Sequence, residues 1–417
     1  MTLKRDLLWT FLIQGVGSLS VLLTSIVIAR WYGADAFGWF SSAKSLVLFM
    51  MAVGCWGLSQ GVLDALNQGE IPPKIMATFI AYYGVAFAFV LLLLNASGVL
   101  SHWLADRFSS LELLLMCVSG SLFVFHTLYR LMLLSSDKMI AYNVVTMLPN
   151  ALILLLVVGV LMLDDARFEY AHFVLMFCVA LTISVSIAVW RVVRVVGVHQ
   201  TLRDVHMSAY KKLCLSSAVC AVPPMVQMLI PAVSFHVLNM NSGTTVEAAY
   251  LGVGFVLLSI VLTLFNMGSP IVFNQWSKQG DEQVFKSEYA SLSNISSCMG
   301  ALVLVLAYSL VPLVLSVLYG DAMHGAATVC VVLLASSIIW MHAKILMTAC
   351  LSKAHHGHLA CAFALKAVVF LSLVMHQNTA YDVALVWILV ECLFMLHLMC
   401  VLVQKQYVSI LNLFGRA

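Results

Sequence analysis

Charge is what this 417-residue chain has least of: Asp, Glu, Lys and Arg together make up 9% of it, against 63% hydrophobic residues and a mean hydropathy of +1.03. Soluble domains carry about 25% charged residues, so this chain cannot clothe itself in polar surface, and a water-soluble globular protein is excluded. The eleven cysteines stand singly in apolar runs (Cys55, Cys117, Cys178, Cys330 and Cys392 among them), with no CxxC pair. That pattern excludes a disulfide or metal framework and leaves them as small apolar packing residues. GxxxxGK[ST], HExxH and DxD-type motifs are missing too, so ATP hydrolysis and metal-dependent glycosyl transfer have no machinery. No connection is long enough for a soluble catalytic domain. The expectation is a protein that is not an enzyme, binds no cofactor, metal or nucleic acid, and is driven by an ion gradient, membrane potential or the substrate's own gradient.

What is present is a series of apolar runs. A bilayer core takes about 20 apolar residues per helix, and runs without alternation exclude barrel strands. Threading predicts twelve helices, near 7–29, 37–62, 75–95, 111–134, 141–163, 170–193, 212–238, 248–274, 290–318, 326–351, 358–375 and 383–403. The first is too long for a cleaved signal segment. With the N-terminus inside, fifteen cations fall on the cytoplasmic side: Lys4, Arg5, Lys74, Arg130, Lys138, Arg191, Arg194, Arg203, Lys211, Lys212, Lys278, Lys286, Lys353, Lys405 and Arg416. Arg30, Arg107 and Arg167 fall outside, and Lys44, Lys344 and Lys366 within helices. Cationic side chains hold short loops in the cytoplasm, so both termini are expected there.

The expected fold is an all-α integral membrane protein, with one six-helix bundle over 1–193, a cytoplasmic linker over 194–211 and a second six-helix bundle over 212–417. The linker mixes Arg194, Arg203, Asp204 and Lys211 with apolar residues, which suits either a helix on the anionic inner leaflet or a solvated connection. At an offset of 211, Gly57 aligns with Gly268, and Gln68-Gly69-Glu70 with Gln279-Gly280-Asp281. Six helices per half then gives a parallel pseudo-repeat, a layout in which transporters place their pathway between the halves.

Ionisable side chains inside a bilayer usually face protein or water. Lys366 and Glu391 fall near the midplane of successive helices and could pair. Lys44 has no acidic residue at its depth and reads as the lining of an aqueous cavity. Lys344 could line it too or snorkel to the cytoplasm. Asp64 is a further candidate for ion pairing or coupling. Arg30 could grip an anionic headgroup or pair with Asp35, and Arg130 reads as an interface anchor. Breakers concentrate where a hinge would need them, at Gly57, Pro223, Pro224, Gly268 and Pro270. His355-His356-Gly357-His358 reads as a solvated turn rather than a metal site.

Three stretches carry a resemblance. IARWYGADAFGWFSSAKSL (28–46), VLSVLYGDAMHGAATVCVVLLASSIIW (314–340) and LMLLSSDKMIAYN (131–143) resemble segments of the Wzx-type polysaccharide flippases, of the multidrug/oligosaccharidyl-lipid/polysaccharide exporter superfamily. The resemblance implies two six-helix bundles around a central cavity lined by helices 1, 2, 7 and 8. It also implies translocation of an undecaprenyl-pyrophosphate-linked oligosaccharide, such as an O-antigen unit of lipopolysaccharide, to the outer leaflet of the bacterial inner membrane. Its partners would then be that substrate, membrane lipids, a polysaccharide polymerase and a chain-length regulator. Arg30 and Lys44 would meet the pyrophosphate, with Lys344 and Lys366 as further contacts. Gln14, Ser18, Thr24, Asn266, Trp39 and Trp56 are available to sugars. Helices 7 and 8 hold no basic residue in their interior, a departure from a cavity positive on both sides. An ion-coupled drug or small-molecule exporter of the same superfamily is the alternative, and acidic cavity residues would favour it. A glycan polymerase or ligase would need large outer loops. The Major Facilitator class is disfavoured because 63–74 lacks GxxxDRxGRR.

Overall fold

The computed structural model describes residues 2–104, 108–136, 138–162, 170–196, 207–278, 282–352 and 355–404. Most of the expected linker, Arg107, Arg167, Arg203, Lys353, Lys405, Arg416 and the stretch 279–281 lie outside them. Among the described residues, eleven helical runs are long and apolar enough to cross a bilayer. The first, Trp9–Cys55, has 47 residues; at 1.5 Å per residue it would reach about 70 Å, over twice a bilayer core. It is divided instead. Helix α1 (Thr2–Val27) widens into a π-helix at Ile28–Tyr32, and α2 (Gly33–Cys55) begins at Gly33, whose φ is +91°.

The expected helix over 37–62 stops early. Trp56 (φ +40°) and Gly57 (φ +70°) end α2, and a separate α3 (Leu58–Asn67) follows. A long-range approach forces the break: the carbonyl oxygen of Ser217 lies 2.0 Å from where a Cβ on Gly57 would sit. Any side chain there would require the α9 backbone to shift. Helix α3 buries Leu58, Gly61, Val62 and Ala65, one stripe at helical spacing.

Helix α4 (Pro73–Ala96) opens on Pro73, where a missing N–H costs nothing, and is followed by the short α5 (Val99–Trp103). Helix α6 (Ser110–Ser135) starts from a capping box: the Ser109 hydroxyl accepts from the Glu112 N–H, and the Glu112 carboxylate accepts from the Ser109 N–H at 2.7 Å. Then come α7 (Met139–Met162), α8 (Tyr170–Val196), α9 (Met207–Asn241), α10 (Val246–Lys278), α11 (Glu282–Val314), a second π-helix at Leu315–Tyr319, α12 (Ala326–Ser352), α13 (His356–Val374) and α14 (Ala380–Gln404). Pro223 and Pro224 lie inside an unbroken α9, and Gly268 and Pro270 inside an unbroken α10. Membrane helices tolerate such residues because neighbours re-satisfy the backbone. The aligned pair Gly57 and Gly268 therefore differ, one at a helix break and one within a helix.

The chain forms two compact units. One comprises Met1–Val27 with Trp39–Ala232, and the other Ile28–Gly38 with Val233–Ala417. In the first, α6 is central, packed by α4 and α8, while α1 lies on α7; Val124, Leu128, Met132 and Leu133 are buried there. In the second, α12 holds the same central place against α10, α11 and α14, with α13 on α14. Outward positions such as Val85 and Phe89 on α4, or Val305 and Tyr308 on α11, are large, apolar and exposed. That is a surface for lipid, and the chain is a multi-pass membrane protein.

Candidate functional site

Lys44 lies on the second turn-pair of α2, and its neighbours at helical spacing (Trp39, Phe40, Ala43 and Val47) face Phe173, Val174 and Phe177 of α8 across a narrow crevice. The free volume is about 10 Å³, room for about one water. Aromatic rings build its wall. Trp39 stacks on Tyr170 with centroids 5.1 Å apart, Phe108 meets Trp39 edge-on at 5.5 Å, and Phe40 lies 5.7 Å from Phe173. Among the described residues no carboxylate pairs with Lys44. A cation within a membrane span costs at least about 2.5–3.5 kcal/mol on insertion scales. Lys44 is thus a positive charge held in an apolar crevice without a counter-charge from the first unit.

Lys366 and Glu391 are brought together. They form a buried ion pair between α13 and α14, Lys366 7% and Glu391 1% exposed. The ammonium also faces the rings of Phe394, Phe363 and Trp387 at 4.9, 5.7 and 5.8 Å from their centroids. Among the described residues the second carboxylate oxygen, Oε2, has no hydrogen-bond partner. Here the positive charge is already matched within the protein.

The other candidates lie apart. The Lys344 Nζ sits over the Trp340 ring at 5.7 Å, one turn back on α12. Asp64 accepts from Gln60 Nε2 at 3.0 Å on α3. Arg130 stacks over Tyr142 at 5.8 Å. Arg30 is exposed and donates from Nη1 to the Val317 carbonyl at 3.0 Å. Asp35 accepts instead from the Thr245 hydroxyl at 2.7 Å. Of the residues available to sugars, Thr24 is buried and donates to the Ser20 carbonyl, Trp39 is buried beside Lys44, and Trp56 is about half exposed. His355 and His358 lie with ring centroids 5.8 Å apart, and among the described residues no group of three His, Cys, Asp or Glu side chains could hold a metal.

No protein-family model and no curated protein matches the chain. Solved structures do. A structure described as the lipid II flippase MurJ in an inward closed conformation superposes with a TM-score of 0.76 at 12% identity, covering 97% of this chain and 88% of that one. An inward-facing multidrug resistance MATE family transporter of the MOP superfamily gives 0.69 at 12% identity, covering 93% and 94%. A MOP superfamily transporter from Pyrococcus furiosus, whose reverse polarity of binding pocket is said to suggest a different function, gives 0.68 at 12% identity, covering 96% and 95%. The chain has the fold of these transporters.

One polar cluster escaped sequence reasoning. Asn143 on α7 is fully buried, donates to Thr10 Oγ1 at 2.8 Å and accepts from Gln14 Nε2 at 3.2 Å. Gln14 is thereby engaged with α7. The signal was legible: an amide inside an apolar helix needs a partner, and α1 supplies two. Asn143→Leu should cost about 1–2 kcal/mol, two interhelical hydrogen bonds at membrane-typical strength. Thermal unfolding in detergent checks it; a variant as stable as wild type would make this pairing inconsequential.

Proposed function

We propose that the protein is a flippase that moves an undecaprenyl-pyrophosphate-linked oligosaccharide from the inner to the outer leaflet of a bacterial inner membrane by alternating access. In this reading α1 and α2 count separately, giving twelve spans with both termini cytoplasmic. The observation that carries it is Lys44, a cation within a membrane-spanning helix and without an acidic partner among the described residues. A diphosphate supplies the missing counter-charge, and charge-assisted hydrogen bonds to phosphate are among the strong ones. Among the described residues Arg30 spends one of its five N–H donors on the Val317 carbonyl, which leaves others for an anionic group. The lipid II flippase among the similar structures supports a lipid-linked cargo for this fold.

The MATE transporter among them supports the rival reading, a drug exporter. Polarity argues for the first. The unmatched charge described here is positive, and the buried acid Glu391 is already neutralised by Lys366. A cationic drug gains nothing from such a site.

Deleting the protein and measuring lipid-linked glycan in each leaflet separates the readings. Accumulation in the inner leaflet supports flipping, and altered drug tolerance alone supports export. Lys44→Ala should reduce flipping at least about tenfold, the loss of one charge-assisted contact, while Lys44→Arg retains much of it. Equal flipping by both variants would remove the charge from the mechanism.

A further inference from the structure

The stretch Tyr32–Gly38 reads YG-x4-G, and so does Tyr319–Gly325. Both follow a five-residue π-helix, at Ile28–Tyr32 and Leu315–Tyr319. Both turn at a glycine in the left-handed region, Gly33 at φ +91° and Gly320 at φ +82°. In the structure these twin corners pack together, and the Arg30 guanidinium of the first donates to the Val317 carbonyl of the second.

Each corner also closes on the start of α10. A Cβ on Gly38 would lie 1.9 Å from the Thr245 carbonyl oxygen, and one on Gly325 would lie 2.8 Å from the Tyr250 ring. The Thr245 hydroxyl lies 2.7 Å from Asp35 Oδ1 and 2.9 Å from the Asp35 carbonyl oxygen, both acceptors. The entry to α10 is itself anchored: Asn241 Nδ2 donates to the Met375 and Gln377 carbonyls, and Glu247 accepts from the Ala380 N–H at 2.6 Å. The Ile28–Gly38 corner differs from these anchors. It belongs to the second unit, yet the chain on both sides of it belongs to the first. Its joints are a π-helix, a rare geometry frequent at functional sites, and a glycine.

We propose that the Ile28–Gly38 corner is a releasable clasp, seated on its twin and on the first turn of α10 in the conformation seen here and detached in another step of the transport cycle. Glycine at position 38 permits the seat, and the Arg30 and Asp35 hydrogen bonds hold it. The corner also buries Ile28, Ala29, Ala36 and Phe37, so release uncovers apolar side chains as well as breaking these hydrogen bonds, a local opening hinged at the π-helix and Gly33 rather than an unfolding of α1 or α2. The proposal rests on a moving transporter and not on the identity of its cargo.

The test uses the full-length protein in nanodiscs with its exposed native cysteines replaced by serine. Spin labels on the neighbouring Ala34→Cys and Thr244→Cys, which leave the Asp35–Thr245 hydrogen bond in place, should give a close and a distant population by EPR, and Arg30→Ala should enlarge the distant fraction about tenfold, the worth of a charged hydrogen bond. A single population unchanged by Arg30→Ala or by Gly38→Leu overturns the clasp. In the second arm the thiols of Asp35→Cys and Thr245→Cys, placed where that hydrogen bond lies, are joined by copper–phenanthroline, dissolved oxygen accepting the two electrons and two protons. The disulfide should abolish transport, and a reductant should restore it to the level of the reduced double variant, whereas the oxidant should not change the transport of either single variant. Full transport by the cross-linked protein overturns the proposal equally. If the reduced protein moves neither lipid-linked glycan nor drug, the functional reading fails while the EPR populations still decide the clasp.

Discussion

Glu391→Ala is expected to destabilise the protein by about 3–5 kcal/mol, because it leaves Lys366 charged and buried without its partner. The cost is asymmetric. A buried ion pair contributes little net stability, since desolvation offsets the attraction, but one half of a pair is penalised in full. The double variant Lys366→Met with Glu391→Leu should therefore recover most of the loss. Its side chains match the apolar setting of Phe363, Phe394 and Trp387. Unfolding midpoints in detergent and the amount of protein reaching the membrane would show this. If the double variant were no better than Glu391→Ala, the pair would not be the source of the cost. Transport by the double variant carries a second answer: full activity assigns the pair to structure, and loss of activity in a stable protein assigns it to coupling.

Gly57→Ala should cost about 2–4 kcal/mol, against about 1 kcal/mol for Gly69→Ala. The two glycines share a backbone conformation, at φ +70° and +68°, so the penalty for a left-handed alanine is common to both. Their surroundings differ. A Cβ on Gly69 meets nothing within 4 Å, whereas one on Gly57 would sit 2.0 Å from the Ser217 carbonyl oxygen and 2.7 Å from the Ala221 nitrogen. Those are backbone atoms of α9, which cannot turn aside as a flexible side chain would. Relief requires α9 to shift as a body. Comparable unfolding midpoints for the two variants would mean that α9 yields freely, and that the break between α2 and α3 has another cause.

The helices themselves were largely legible. The run at 358–375, the shortest of those expected, lies at His356–Val374. The Lys366–Glu391 pairing could be read from two charges at similar depth on successive helices. The early end of α2 could not be read, because Trp56 and Gly57 lie in a stretch as apolar as any helix interior, and the reason for turning there is a carbonyl 160 positions later in the chain. The partners of Arg30 and Asp35 were hidden in the same way. Proximity in sequence suggested that they pair with each other, whereas the structure gives them Val317 and Thr245, 287 and 210 residues away.

Sequence alone determined that this is an all-helical chain built for a bilayer, and roughly where its helices run. Lipid offers the backbone no hydrogen bonds, so each spanning segment must satisfy itself locally, and local composition suffices to find it. Tertiary structure decided where helices break and which distant groups meet Arg30 and Asp35, and among the described residues it leaves Lys44 without a carboxylate. Those outcomes depend on what lies across a packed interface, and hydropathy carries no record of that.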